Sequence, residues 1–147
     1  MAHGSNLTLL RPANSSSDST SAPTANLIPG SWNDFVVGLT LFSESPSTVA
    51  FSSVGKAGSA LHLLRLDDGE VKVISTEVNF RSVEDLLFVP EEDNALFVLD
   101  TKLAGIVRLK VARTEDDEVK VTEEKIVVQF SASDSKPRGL SFDRCSR

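Results

Sequence analysis

The chain has 147 residues, 40% hydrophobic and 24% charged, with 21 acidic against 15 basic side chains and a net charge of −6. That is enough for one soluble domain. An acidic balance without a basic stripe speaks against a nucleic-acid partner, and no apolar run approaches the roughly 18 residues of a transmembrane helix, so no direct membrane insertion is expected.

Residues 1–31 are dominated by Ser, Thr, Asn, Ala and Pro. The core SSSDSTSAPTAN has too few apolar groups to offset the entropy of ordering, so a disordered tail is expected. No Lys or Arg precedes a continuous apolar core before Arg11, and no intact signal peptide is read there. Asn6-Leu7-Thr8 and Asn14-Ser15-Ser16 match glycosylation sequons; Ser-rich segments also produce such triplets by chance, and they matter only in a secreted chain.

From Trp32 the composition changes. DFVVGLTLF, STVAFSSV, SALHLLRL and VKVIST follow one another with Gly, Ser, Pro or Asp between them, which predicts four strands over about 34–78. Asp67-Asp68-Gly69 is a hairpin turn, because glycine supplies positive φ at no steric cost. A second set spans about 82–131. Leu86–Val89 is an apolar run ended by Pro90, which has no ladder donor. Glu91–Asn94 turn the chain, and Ala95–Leu99 read as a strand covered on both faces. Lys102–Gly105 turn it again, and Val107, Leu109 and Val111 alternate with Arg108 and Lys110, the period of a half-buried strand.

The two sets align at an offset of 47: Leu39 with Leu86, Leu41 with Phe88, Val49 with Leu96 and Gly58 with Gly105. A further copy begins near the end at an offset of 54, pairing Leu86 and Phe88 with Leu140 and Phe142, and Val73 and Ile74 with Val127 and Val128. The seven additional residues are assigned to the acidic loop Thr114–Glu118, since loops tolerate insertion. Four-stranded units at this spacing are the signature of propeller blades. The expected fold is all-β: a partial β-propeller over 32–147 with two four-stranded antiparallel blades at about 34–78 and 82–131 and the start of a third at 137–143. A β-sandwich is the alternative.

Lys136-Pro137-Arg138-Gly139-Leu140-Ser141-Phe142-Asp143 resembles the PRG-hydrophobic-x-hydrophobic-D segment that opens blades of the low-density lipoprotein receptor class B, or YWTD, propellers, in an order most similar to the cueball-type receptors. The second blade fits the same register, with Glu84–Phe88 as its opening segment, Phe97-Val98-Leu99-Asp100 at the YWTD strand and Gly105–Arg108 at the strand that commonly ends in Arg. The resemblance makes Phe97, Asp100, Arg108, Pro137, Arg138, Gly139 and Asp143 structural motif positions, and implies that Arg138 either hydrogen-bonds Asp100 across adjoining blades or faces solvent. Of the tetrad only Asp100 survives, Ala50-Phe51-Ser52-Ser53 stands at the matching place in the first blade, and family members use six blades.

The resemblance implies a non-enzymatic protein-interaction module from an extracellular or cell-surface propeller receptor, whose partners are another protein or further blades. The expected alternatives are a propeller hydrolase of the lactonase or gluconolactonase type, and a truncated product without independent activity. Self-association is expected from apolar strand faces carrying Leu86, Phe88, Leu96, Val98, Val107 and Leu109, which one missing neighbour would expose.

No cofactor is read from the residues. Serine hydrolysis needs a basic histidine, and the chain offers only His3, in the tail, and His62, whose neighbours Leu61, Leu63 and Leu64 mark a structural position rather than a general base. Glu91–Asp93 and Glu115–Glu118 are the dense oxygen clusters; both lack the Gly and spacing of a calcium loop and read as solvated. Gly55-Lys56-Ala57-Gly58-Ser59 reads as a hairpin turn rather than a phosphate loop, because no helix pattern follows. The single cysteine, Cys145, cannot form an internal disulfide.

Overall fold

The computed structural model describes residues 8–11, 24–27, 35–44, 46–131 and 136–143. Within them the protein is all-β, with ten strands: β1 Thr8–Arg11, β2 Thr24–Leu27, β3 Phe35–Glu44, β4 Ser47–Gly55, β5 Gly58–Arg65, β6 Val71–Ile74, β7 Val83–Val89, β8 Ala95–Asp100, β9 Gly105–Arg113 and β10 Val119–Gln129. Among the described residues no helix is long and apolar enough to cross a membrane. β1 and β2 pair antiparallel, Thr8 opposite Leu27. They fall within the stretch expected to be disordered and are an exception to that expectation; the rest of 1–31, with Asn6, Asn14 and His3, lies outside the described residues, as does Cys145.

The other eight strands form two four-stranded antiparallel meanders, in the order β3-β4-β5-β6 and β7-β8-β9-β10. Each neighbour in the sheet is the neighbour in sequence, so short hairpins join them. Gly55 pairs with Gly58 across Lys56 and Ala57, making GKAGS a hairpin turn. Gly69, at φ 76°, closes the β5–β6 turn, where its amide donates to the Arg65 carbonyl at 2.9 Å. Asp93 and Asn94 take φ of 61° and 53°, the left-handed conformation that Asp and Asn tolerate best after glycine.

The register of the first two strands repeats at the expected offset: Leu39 pairs with Phe51 as Leu86 pairs with Val98. The later strands follow it only in part: Ile74 does equate with Val128, through Leu61 and Ile106, but other pairings shift. The β4–β5 turn has two residues and the β8–β9 turn four, so the ladder equates His62 with Val107 rather than Gly58 with Gly105. A bulge at Val127 then equates Val73 with Ile126 instead of Val127. Nor are the additional residues a loop. Residues 66–70 and 114–118 are connections of equal length, and the extension is paired strand, lengthening the β9–β10 hairpin beyond β5–β6.

The main core lies between the two sheets. Phe42, Ala50, Leu61, Leu63 and Ile74 from the first face Leu86, Leu96, Val98, Val107 and Leu109 from the second. Five of the six residues expected on an exposed patch are therefore buried, and Phe88 is half-buried against the same cluster. The exposed large apolar side chains are others, Phe35, Leu39, Leu41 and Val73 in the first sheet and Ile126, Val127 and Val128 on β10. β8 carries the pattern expected of a central strand, with Phe97 half-buried and its other residues fully buried. A smaller cluster, Val49, Phe51 and Leu64, occupies the opposite face of the first sheet.

Candidate functional site

Two features fix how the sheets are set: a buried carboxylate that accepts four backbone donors, and a close approach of β3 to β7. The first is Asp100, at the end of the buried β8 strand and fully buried itself. Its Oδ2 accepts the amides of Arg81 and Ser82 at 2.6 and 3.0 Å, and its Oδ1 those of Lys102 and Leu103 at 2.9 and 3.0 Å. Four donors around one carboxylate satisfy a buried charge that would otherwise be costly. The same side chain thereby fixes the approach to β7 and the β8–β9 turn. The Thr101 amide also donates a hydrogen bond to the Ser82 carbonyl at 3.0 Å.

This arrangement decides between the two places open to Arg138. Asp100 does not bond Arg138: both its oxygens are taken by the chain around it, and Arg138 is exposed. The turn closes over the carboxylate before a side chain from another unit can reach it.

The second feature runs along β3 and β7, each an edge strand of its sheet. β3 lies beside β7, and at Gly38, where β3 bulges with φ +65°, the two backbones nearly touch. A Cβ there would stand 3.0 Å from the Leu86 nitrogen and 3.1 Å from the Asp85 Cα. One turn of the ladder on, Thr40 Oγ1 accepts the Phe88 amide at 3.1 Å. Asp85 then reaches the other way, its Oδ2 accepting the Leu140 amide at 2.8 Å, with Gly139 alongside. Gly38, Asp85 and Gly139 are the residues immediately before Leu39, Leu86 and Leu140, the repeat positions aligned from the sequence. Residues 137–143, where a third blade was expected to open, form no strand; of that stretch Leu140 is bonded to Asp85 and Gly139 lies beside it.

The connection between the sheets is held at two further points. Glu124 on β10 accepts the amides of Glu77 and Val78, at 2.6 and 2.7 Å, from the connection between the sheets. Ser59, beside the β4–β5 turn, donates its amide to the Phe80 carbonyl at 3.0 Å and accepts the Val83 amide on its hydroxyl at 3.0 Å. Neither acid nor hydroxyl stood out in the sequence, because isolated Glu and Ser on strands read as solvated.

The remaining motif positions are dispersed. Phe97 is half-buried on the face of the second sheet turned away from the first, and Arg108 on the same face donates to the Glu92 carbonyl at 3.1 Å and lies 3.8 Å from Glu123. Pro137 is half-buried; Gly139 and Asp143 are exposed.

His62 and Ser53 form a buried pair, Nε2 to Oγ 2.9 Å, with the imidazole stacked on Phe51 at 4.9 Å. Both side chains are buried within the sheet. Among the described residues no three His, Cys, Asp or Glu side chains gather as a metal site. Of the acidic runs, Asp93 pairs with Lys110, which holds its carboxyl below the ordinary aspartate range. The Asp68 carboxyl is also lowered, first by the Glu70 amide at 2.9 Å and then by Arg65, whose guanidinium is raised in return.

An open cleft lies where β3, β7 and β9 end together. The tilted rings of Phe42 and Phe88, 4.4 Å apart, contribute to its lining, the Arg113 guanidinium sits 5.8 Å over Phe42, and Asp93 and Lys110 stand at the rim. Arg113 also faces Asp117 at 3.5 Å.

Compared with family models, with curated proteins and with solved structures, the chain gives no match.

Proposed function

We propose that the chain is a non-enzymatic protein-interaction module built as part of a β-propeller of the extracellular YWTD type. The observation that carries this reading is the contact sequence Gly38, Asp85, Leu140. Sheets of a sandwich stack about 10 Å apart across their faces, whereas here the first strands β3 and β7 converge until a Cβ at Gly38 would meet the Leu86 nitrogen at 3.0 Å. First strands that converge, sheets that keep the same strand order and a further segment of chain seated on Asp85 are what radial stacking of blades would give. The segment KPRGLSFD, which carries the family resemblance, is the one seated on Asp85.

In this reading Asp100 is a structural carboxylate that closes a blade, and recognition belongs to the loops and faces the blades present. An extracellular or cell-surface setting follows from the same resemblance. The competing reading is a propeller hydrolase, and a panel of lactones incubated with the purified chain, with and without calcium, separates the two. No turnover is expected in either condition; calcium-dependent hydrolysis would overturn the binding-module reading.

A further inference from the structure

We infer that the cleft where β3, β7 and β9 end is a recognition site for an acidic peptide segment of a protein partner, one that places a bulky apolar side chain beside an Asp or Glu carboxylate. The inference rests on the interaction-module reading above and deepens it by naming the surface and the chemistry of the partner.

The cleft exists because the two meanders differ in length. The ladders equate Arg65, where β5 ends, with Lys110, so Val111, Ala112 and Arg113 carry β9 about 10 Å beyond that point. Facing this overhang, β3 bulges at Phe42, whose buried ring meets the half-buried Phe88. The space left between them is open and measures about 800 Å³, with Leu41, Phe42, Phe88, Pro90 and Val111 in its lining. That volume lies in the range of pockets that enclose a small ligand, so it suits one bulky side chain and the backbone beside it.

Charge selects the occupant. Among the described residues the charged lining consists of Asp93, Lys110 and Arg113. Asp93 is paired with Lys110, and the positive charge of Arg113 remains, in a chain whose net charge is −6. Asp117 faces Arg113 at 3.5 Å, longer than a good hydrogen bond, and is not part of the lining. Among the described residues this is the only ion pair Arg113 makes.

A guanidinium carries five N–H donors in a planar fork that matches a carboxylate with two parallel bonds. Here the fork lies 5.8 Å over the Phe42 ring. A carboxylate held by it therefore has an adjoining apolar side chain within reach of both phenyl rings. A cationic segment meets Arg113 as a like charge, and a neutral one leaves the fork without its strong acceptor.

The test is an NMR titration of the full chain with a short blocked peptide containing phenylalanyl-glutamate. Three counterparts serve as matched probes, with the glutamate replaced by glutamine or by lysine, or the phenylalanine by alanine. The glutamate peptide should shift the ring protons of Phe42 and Phe88 and the Arg113 Nε proton, and should bind less well as salt is raised. The glutamine counterpart should bind about tenfold more weakly. Arg113→Gln should lose that preference, and Arg113→Lys should restore part of it. Lys125→Gln removes the same charge from an exposed site on β10 outside the cleft and should bind as wild type.

No binding of the glutamate peptide, equal binding of any counterpart, shifts confined to other surfaces, or equal losses in Arg113→Gln and Lys125→Gln would overturn the inference. The nuclear Overhauser effect between the Gly38 α-protons and the Leu86 amide, read on the same sample, reports on the propeller reading alone. With that cross-peak present, failure to bind strikes only the peptide site; with it absent, the propeller reading falls whatever the cleft binds.

Discussion

Gly38 and Asp85 stand so close that the glycine's missing Cβ would lie 3.1 Å from the Asp85 Cα. Gly38 also has φ +65°, so alanine there meets both backbone strain and collision with β7. Gly69 has a similar φ, +76°, but nothing within 4 Å of its added Cβ. Gly38→Ala should therefore lower the unfolding free energy by about 3 kcal/mol and Gly69→Ala by about 1 kcal/mol. Urea titration of both variants checks the difference; equal losses would mean that the close approach carries no weight.

Asp100→Ala removes the acceptor of four buried or part-buried amides and should lower stability by about 2–3 kcal/mol. Asp100→Asn should rescue little, because its amide nitrogen cannot accept and leaves one pair of donors unmet. Denaturant midpoints decide this, and an Asn variant as stable as wild type would refute the carboxylate's role.

These two residues show how much the sequence disclosed. Strand periodicity, the turn residues and the 47-residue offset of the first two strands were legible because the apolar pattern alternates and Gly, Pro, Asp and Asn punctuate it. The pairings of Gly58 with Gly105 and of Val73 with Val127 were misassigned, though Ile74 with Val128 was not, because a longer turn at Thr101–Ala104 and a bulge at Val127 change register without changing composition. Asp100 was visible as a charge closing an apolar strand, but its partners were not, since backbone amides look alike in every sequence. Gly38 and Asp85 were missed because the repeat was aligned on apolar positions, one residue to the side, and Gly139, named as a motif position, was not linked to Asp85. The contact between them depends on how the sheets converge, which no single strand encodes.

Glu124 holds the connection between the sheets by accepting the Glu77 and Val78 amides. Glu124→Gln keeps its shape but only one good acceptor, so stability should fall by about 1 kcal/mol. Hydrogen exchange at Glu77 and Val78 should quicken while that at β8 stays slow. Unchanged exchange at both amides would remove Glu124 from the account.

The lowered Asp68 and Asp93 carboxyls set the acid response of two turns. A group whose folded pKa lies below its ordinary value, here 3.8, contributes stability that is fully present above that value and is lost as pH falls through the folded pKa. The β5–β6 turn and the Asp93–Lys110 contact should therefore hold at neutral pH and loosen only below about pH 4. Carboxyl NMR titrations should place both midpoints under 3.8; a midpoint above it would show that the Glu70 amide or Lys110 does not engage the acid in solution.

The convergence of β3 and β7 is tested most directly by the nuclear Overhauser effect between the Gly38 α-protons and the Leu86 amide proton in the folded chain. A strong cross-peak, with a second from Leu140 to Asp85, is predicted. Absence of both, alongside intact contacts between the Leu63 and Leu109 side chains, would mean two sheets stacked evenly as a sandwich and would contradict the propeller account.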